Sequence, residues 1–162
     1  MRTILLAAFL SVVTPTMSGQ SNSVQASEDN LYSLALKTSI LQMEKDWGHI
    51  ENPHVDYHHM VVAKDSLVSD GLPTEFENHF VEYLDYQALL DRYRTLGRPF
   101  AVLEIHPIQN EGKTLKIAVV VYWARYKKGR LLRGVSDWSN VQFAYDCDKQ
   151  QFVVSSVKLG GI

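Results

Sequence analysis

Histidine and aspartate side chains are concentrated in one ten-residue stretch, ENPHVDYHHM at positions 51–60. His54, Asp56 and His58 lie two residues apart, and residues two apart in a β-strand project from the same face. Two imidazoles and one carboxylate match the ligand set of non-haem iron sites. At the usual rise of a strand, however, these three positions span about 13 Å, too far to converge on one ion. The spacing therefore predicts a polar strand entrance and no metal site.

The same stretch has a second interpretation, in which His58 or His59 lines the mouth of a pocket as a hydrogen-bonding or proton-transfer group. By strand parity His58 shares a face with Met60, whereas His59 shares the opposite face with Val61. The sequence leaves open which imidazole points inward.

A second group of candidate pocket residues lies on three successive predicted strands in the C-terminal half. Its members are Glu104, His106, Tyr122, Asp137 and Trp138. Cofactor-free proton transfer needs a carboxylate with a raised pKa and an oxyanion donor such as tyrosine, both turned into an apolar cavity. The alternative is structural: Asp137 forms a turn or bulge with Ser136, and Tyr122 is an ordinary sheet aromatic. We assign no catalytic residue from this pattern.

Charge limits the class of partner. The formal net charge of −2 argues against nucleic acid as the main partner. Five basic residues nevertheless cluster around one predicted hairpin: Arg125, Lys127, Lys128, Arg130 and Arg133. Such a patch attracts anionic partners or a membrane surface, but charges at a turn also discourage edge-to-edge aggregation. We interpret the patch as a solvated turn.

Residues 1–26 have the pattern of a secretory signal peptide, because Arg2 precedes an apolar run over residues 3–13. Cleavage is predicted after Ser18 or Ala26, with Ala26 preferred. The apolar run is shorter than the roughly 20 residues that span a bilayer, so we expect no integral membrane span after removal of the leader. The sequence thus predicts a secreted or periplasmic protein.

Residues 27–162 are long enough for one ordinary domain. Because Cys147 is the only cysteine, an exported chain forms no intramolecular disulfide and must be held by its core. The sequence has no zinc-ligand spacing and no phosphate-binding glycine loop, and we expect no cofactor.

Hydrophobic periodicity predicts two helices. Apolar residues at helical spacing indicate a first helix over residues 29–47, with Gly48 as its stop. Asp85 is the predicted N-cap of a second helix, which buries Leu89 and Leu90 and ends at Gly97. Between the helices, residues 57–64 and 80–84 are predicted to be strands that pair as a loose hairpin.

From Phe100 onward, β-branched runs broken by tight turns predict a four-stranded antiparallel meander. Both faces of its second strand are apolar, because Ile117 and Val119 alternate with Ala118 and Val120. One face is expected to pack on the helices, and the other to be available to a partner subunit.

This order of elements resembles the nuclear transport factor 2-like superfamily, which includes ketosteroid-isomerase-like and polyketide-cyclase-like proteins. The resemblance covers roughly residues 29–162 and rests on element order. It implies an α+β fold in which a curved sheet wraps around the helices and leaves a conical pocket. A cystatin-like fold is the alternative, although the sequence lacks the Q-x-V-x-G loop of inhibitory cystatins.

The resemblance does not decide the function, since the superfamily contains enzymes, small-molecule binders and dimerisation domains. The sequence predicts a non-enzymatic domain that binds a small apolar or amphipathic ligand, or a protein partner, through its pocket or outer sheet face. The protein partner could be a second copy of the chain, in a homodimer formed through the outer sheet face. The alternative is a cofactor-free isomerase or dehydratase that uses a pocket carboxylate with a tyrosine or histidine.

Overall fold

The structure is a computed structural model that describes residues 30–49, 55–64 and 71–161. The predicted leader and His54 lie outside these residues. Within them the chain forms an α+β fold with two helices and an open, mixed sheet of eight strands.

The first helix, α1, spans Leu31–Trp47, close to its predicted bounds. The Asn30 side chain accepts a hydrogen bond of 2.8 Å from an amide of the first turn, which satisfies one of the donors that every helix leaves free. Leu36, Ile40 and Met43 are buried along one face. The predicted apolar stripe is therefore the surface that packs on the sheet.

The second helix, α2, spans Tyr86–Leu96. The Asp85 carboxylate accepts a hydrogen bond of 2.8 Å from the Ala88 amide, so the predicted N-cap is confirmed. Gly97 ends the helix in the left-handed conformation (φ 64°), which glycine adopts without steric cost. Neither described helix combines the length and the apolar character that a bilayer crossing requires.

Seven strands form a continuous path in the order β2-β3-β1-β4-β6-β7-β8, and β5 pairs with the edge of β6 beyond β4. The strands are β1 (His59–Ala63), β2 (Glu75–Phe76), β3 (His79–Leu84), β4 (Phe100–Ile105), β5 (Gln109–Glu111), β6 (Thr114–Lys127), β7 (Arg130–Asp146) and β8 (Gln151–Gly161). The meander of β4, β6, β7 and β8 is antiparallel throughout, as predicted. The short β2 and β5 were not predicted, because two or three residues carry no readable periodicity.

The predicted hairpin between the first two strands is wrong. β1 and β3 lie side by side but run parallel, with His59 opposite Phe80. The connection over residues 64–78 is long enough to return the chain to the same end of the sheet, as a parallel pair requires. The hairpin in this region instead joins β2 to β3, with Phe76 opposite His79.

The sheet is covered on both faces, but by different helices. Along β6, Val119 and Val121 are buried beneath α1, whereas Ala124 is buried in a second cluster with Leu89 of α2. We call these two sides the α1 face and the α2 face. The space beneath α1 is filled by fully buried side chains, of which Phe143 is the largest.

Two glycines on neighbouring strands, β7 and β8, provide a matched test of this packing. A Cβ atom at Gly160 would lie 2.3 Å from Cζ2 of Trp138, whereas a Cβ at Gly134 would meet nothing within 4 Å. We expect Gly160→Ala to lower the free energy of unfolding by about 1–3 kcal/mol, the usual cost of overpacking. Gly134→Ala should leave it unchanged or raise it by up to about 1 kcal/mol, because alanine restricts the unfolded chain. Urea unfolding of both variants measures the difference, and equal effects would contradict the packing described.

Candidate functional site

Three side chains from three separate elements converge at the C-terminal end of α1. Glu44 comes from the last turn of α1, His58 from the turn before β1, and His79 from the first position of β3. The Glu44 carboxylate lies 3.0 Å from His79 Nε2 through Oε2 and 3.6 Å from His58 Nε2 through Oε1. One donor atom from each of the three residues lies within 4.8 Å of the other two. We call this group the Glu44–His58–His79 cluster.

Local sequence places each member of the cluster on the α1 face. Glu44 follows Ile40 by four residues, so it lies along the edge of the buried helix stripe. His79 alternates with Val81, which is buried in the core beneath α1. His58 has the strand parity of Met60, which belongs to the same core. Helix period and strand alternation therefore aim all three side chains at one volume.

His79 is held more rigidly than the other two residues. It is 1% exposed, and its ring stacks on Phe76 with the centroids 5.0 Å apart and the planes inclined by 7°. A neutral imidazole offers one donor and one acceptor. With the proton on Nε2, His79 donates to Glu44, but Nδ1 meets no hydrogen-bond partner among the described residues. A buried polar atom without a partner is uncommon, and it indicates that something else completes its surroundings.

Tyr57 and Asp137 extend the polar region beside the cluster. Burial raises the pKa of the Tyr57 phenol above 10.0, and the negative charges of Asp137 and Glu44 raise it further. Asp137 belongs to the α1 face, because it lies opposite Val121 on β6. Its carboxylate accepts a hydrogen bond from the neighbouring Ser136 hydroxyl. Tyr57 therefore stays protonated at neutral pH, because burial and negative charge both disfavour the phenolate.

The structure separates the two adjacent histidines that the sequence could not tell apart. His58 joins Glu44 on the α1 face, whereas His59 lies on the α2 face, 3.6 Å from Glu82 Oε2. There the Arg92 guanidinium also donates to the Glu82 carboxylate. His59 and Arg92 line a cleft of about 200 Å³ beside the end of α2.

Asp56, proposed from the sequence as a neighbour of His58 on one strand face, has a local role instead. Its Oδ1 accepts a hydrogen bond of 3.0 Å from the His58 amide, which fixes the turn before β1. His54, the remaining member of that set, lies outside the described residues. The neighbours of His58 in the cluster, Glu44 and His79, are therefore distant from it in sequence and do not belong to the histidine-rich stretch.

The other candidate residues are divided between the two faces. Glu104, His106 and Tyr122 lie on the α2 face around Arg133, which is 2.6 Å from Glu104 Oε2 and stands over the Tyr122 ring. Burial raises the pKa of Tyr122, and so does the Glu104 charge, while Arg133 acts in the opposite sense. Asp137 faces the other way. The acid–base set that the sequence suggested is therefore not assembled at one site.

An extra residue in β7, Ser136, explains why Asp137 and Tyr122 lie on opposite faces. Val121 pairs with Asp137 and Tyr122 pairs with Val135, so Ser136 is a β-bulge residue, as the structural alternative predicted. Trp138 follows on the α2 face, where its indole covers Gly160. It packs on the sheet.

An open groove with a different character lies on the same α1 face, toward the turn between β6 and β7. Pro99, Trp123, Arg125, Gly134 and Val135 line it, and its volume is about 380 Å³. Gly134 lies opposite Trp123 across the two strands. Because glycine has no side chain, this position leaves the space above Trp123 open. We call this the Trp123 groove.

Sequence reasoning missed Glu44, His79 and the Trp123 groove. The signals were present but weak: a glutamate at the edge of an apolar helix stripe, and a histidine in alternation with Val81 and Tyr83. Neither pattern says that the two side chains meet, because α1 and β3 lie far apart in sequence. Gly134 opposite Trp123 also requires the strand register, which the sequence does not supply.

Comparisons with models of known protein families, with curated proteins and with solved structures find no match. The resemblance to the nuclear transport factor 2-like superfamily therefore stays a prediction.

The position of Tyr57 beside two carboxylates makes a prediction about its titration. We expect Asp137→Asn and Glu44→Gln each to lower the pKa of Tyr57, with the larger effect from Asp137→Asn, because each removes a negative charge that opposes ionisation. The pKa should stay above its ordinary value in both variants, since burial is the largest cause of the shift. Tyrosine-selective NMR titration, assigned with Tyr57→Phe, measures this. Glu82→Gln on the α2 face is the control, and an equal response to it would contradict the arrangement.

Proposed function

We propose that this domain binds a small amphipathic ligand, with an apolar body and an anionic group, in the Trp123 groove. The observation that carries the proposal is the pairing of Gly134 with Trp123, because the missing side chain at Gly134 leaves open space on the sheet surface beside this residue. Tryptophan offers a large apolar surface and a polar N–H group, and it is enriched where proteins bind partners.

The size and shape of the groove suit a small molecule. Its volume of about 380 Å³ falls within the range of about 300–1,000 Å³ that is usual for ligand sites. Trp123 packs against the core beneath α1 on one side. The aromatic floor is therefore held by the fold before any ligand arrives, which lowers the entropic cost of binding.

Charge favours an anionic group on the ligand. Arg125 lines the groove, and no carboxylate is among the described residues that line it. Lys127, Lys128 and Arg130 occupy or flank the adjoining turn and add positive charge near its open end. A ligand with an apolar body over Trp123 and a carboxylate or similar group toward Arg125 satisfies both features.

The two alternatives have less support. A cofactor-free isomerase or dehydratase needs a carboxylate and a tyrosine at one site, and Asp137 and Tyr122 lie on opposite faces. A protein partner or a homodimer would also occupy an open apolar groove, but neither accounts for an arginine as the one charged residue among the described residues that line it. The conical pocket implied by the superfamily resemblance is not required, and the exported location stays a prediction.

Dodecanoate and dodecanol are matched probes for this proposal, because they share an apolar chain and differ in charge. We expect calorimetry to give tighter binding of dodecanoate, together with a shift of the Trp123 indole N–H signal in NMR. Gly134→Leu should weaken both ligands at least about tenfold, because the new side chain occupies the open space above Trp123. Arg125→Gln should reduce the preference for dodecanoate by about two- to fivefold, the usual value of an exposed ion pair.

Gly134→Ala and Lys113→Gln are the controls, since the first adds one small group and the second removes an exposed positive charge beside the opposite end of β6. Binding that is unchanged in Gly134→Leu, or absent at millimolar dodecanoate, would refute a ligand site in the groove. A wild-type dimer that Gly134→Leu converts to a monomer would show that the groove is a contact between two copies of the chain instead.

A further inference from the structure

We propose that the Glu44–His58–His79 cluster binds a divalent first-row transition-metal ion, with Zn²⁺ as the ion best matched to its donors. This site is separate from the Trp123 groove and does not depend on the function proposed above. Two imidazoles and one glutamate are the protein ligands of several catalytic zinc sites, and imidazole nitrogen favours zinc over magnesium or calcium.

The distances between the donors fit one ion. Zinc bonds to imidazole nitrogen and carboxylate oxygen are about 2.0–2.2 Å long, and a tetrahedral arrangement then separates neighbouring donors by about 3.3 Å. The two carboxylate oxygens of Glu44 lie 3.0 Å from His79 Nε2 and 3.6 Å from His58 Nε2. All three donors lie within 4.8 Å of one another. A small rotation of the exposed His58 ring completes the convergence.

Charge balance also favours a cation at this position. In the part of the chain that the structure describes, the ion-pair partners of Glu44 are His58 and His79, with no lysine or arginine beside it. With both imidazoles neutral, the carboxylate carries an uncompensated negative charge against a buried ring. A divalent cation compensates the carboxylate charge and leaves one positive charge, which the solvent on the exposed side of the cluster can screen; ligation also requires both imidazoles in the neutral form.

His79 has the features of a ligand positioned in advance. It is 1% exposed and fixed by the stacked Phe76 ring. Its Nδ1 has no partner among the described residues, whereas a ligating histidine usually donates its second N–H to an acceptor or to water. Ligation through Nε2 places the proton of a neutral His79 ring on this Nδ1, which therefore requires an acceptor other than the described residues.

The remaining coordination position opens to solvent. The side chains of Glu44 and His58 are 33% and 55% exposed, so water can reach the ion from their side. Three protein ligands and one water form an open zinc site, in contrast to the closed four-ligand sites that serve only structure. Such an ion would also tie the end of α1 to the starts of β1 and β3.

The α2 face contains a matched control for this proposal. His59 lies 3.6 Å from Glu82, the same separation as His58 from Glu44, and its side chain is 51% exposed. There, however, the Arg92 guanidinium already binds the carboxylate. His59→Asn therefore removes an equally exposed imidazole beside an acid without touching the proposed site.

The test uses protein freed of metal by chelation and titrated with Zn²⁺ by calorimetry. We expect the wild-type protein to bind one equivalent. His58→Asn and Glu44→Gln should each weaken binding by at least about 100-fold, because loss of a ligand should exceed the 10–100-fold cost of removing an outer-shell partner. His59→Asn should leave the affinity unchanged. Zn²⁺ should raise the melting temperature of wild-type protein and His59→Asn, and not of His58→Asn. Co²⁺ substitution should give the visible absorption of a tetrahedral ion.

His58 is exposed, so His58→Asn is expected to fold, and its circular dichroism and melting temperature without metal verify this. Binding weaker than millimolar in wild-type protein would overturn the proposal. An unchanged affinity in folded His58→Asn would overturn it as well, because the ion would then be held by other groups. Equal losses in His58→Asn and His59→Asn would indicate nonspecific binding to surface histidines and would have the same consequence.

Discussion

Alternation of side chains along β6 is the constraint on which the rest of this structure depends. This strand pairs with β7 along its whole length and with β4 and β5 on its other edge, and both of its faces are covered. Val119 and Val121 lie beneath α1, and Ala124 lies near α2. Side chains of a strand point to one of two faces. The register of a neighbouring strand against β6 therefore decides whether each of its side chains lies on the α1 face or on the α2 face. Residues close in sequence can therefore have unrelated surroundings.

One extra residue in β7 has the largest chemical consequence. In a regular strand, Asp137 would share a face with Val135 and Arg133, and it would join Glu104 and Tyr122 beside α2. Ser136 is unpaired against β6, so Asp137 turns instead to the α1 face and lies opposite Val121. The acid–base set suggested by the sequence is what an unbulged strand would produce. The bulge divides that set and brings the Asp137 charge near Tyr57.

What the sequence could predict was local. The caps Asp85 and Gly97, the stripe of α1 and the antiparallel meander all follow from chemistry within a few residues of the chain. The parallel direction of β1 and β3 does not, because it depends on how a long connection returns across the sheet. Parity paired His58 with Met60 correctly, but it could not name the face until α1 was seen to cover it. The meeting of Glu44 with His79 is a tertiary contact between elements that no local pattern links.

The Glu44–His58–His79 cluster and the Trp123 groove both open on the α1 face, where α1 ends. α1 ends at Trp47, and Glu44 lies in its last turn, so beyond this point the α1 face is no longer covered by the helix. Extension of the parallel register of Val62 with Leu103 places Met60 beside Ala101, which pairs with Trp123. His58 precedes Met60 by two residues, so only β4 separates the strands of the two sites, a distance of about 10 Å. Arg125 and a bound cation would then both attract an anionic group to this end of the sheet. The two sites nevertheless share no described residue, so each can be lost without the other.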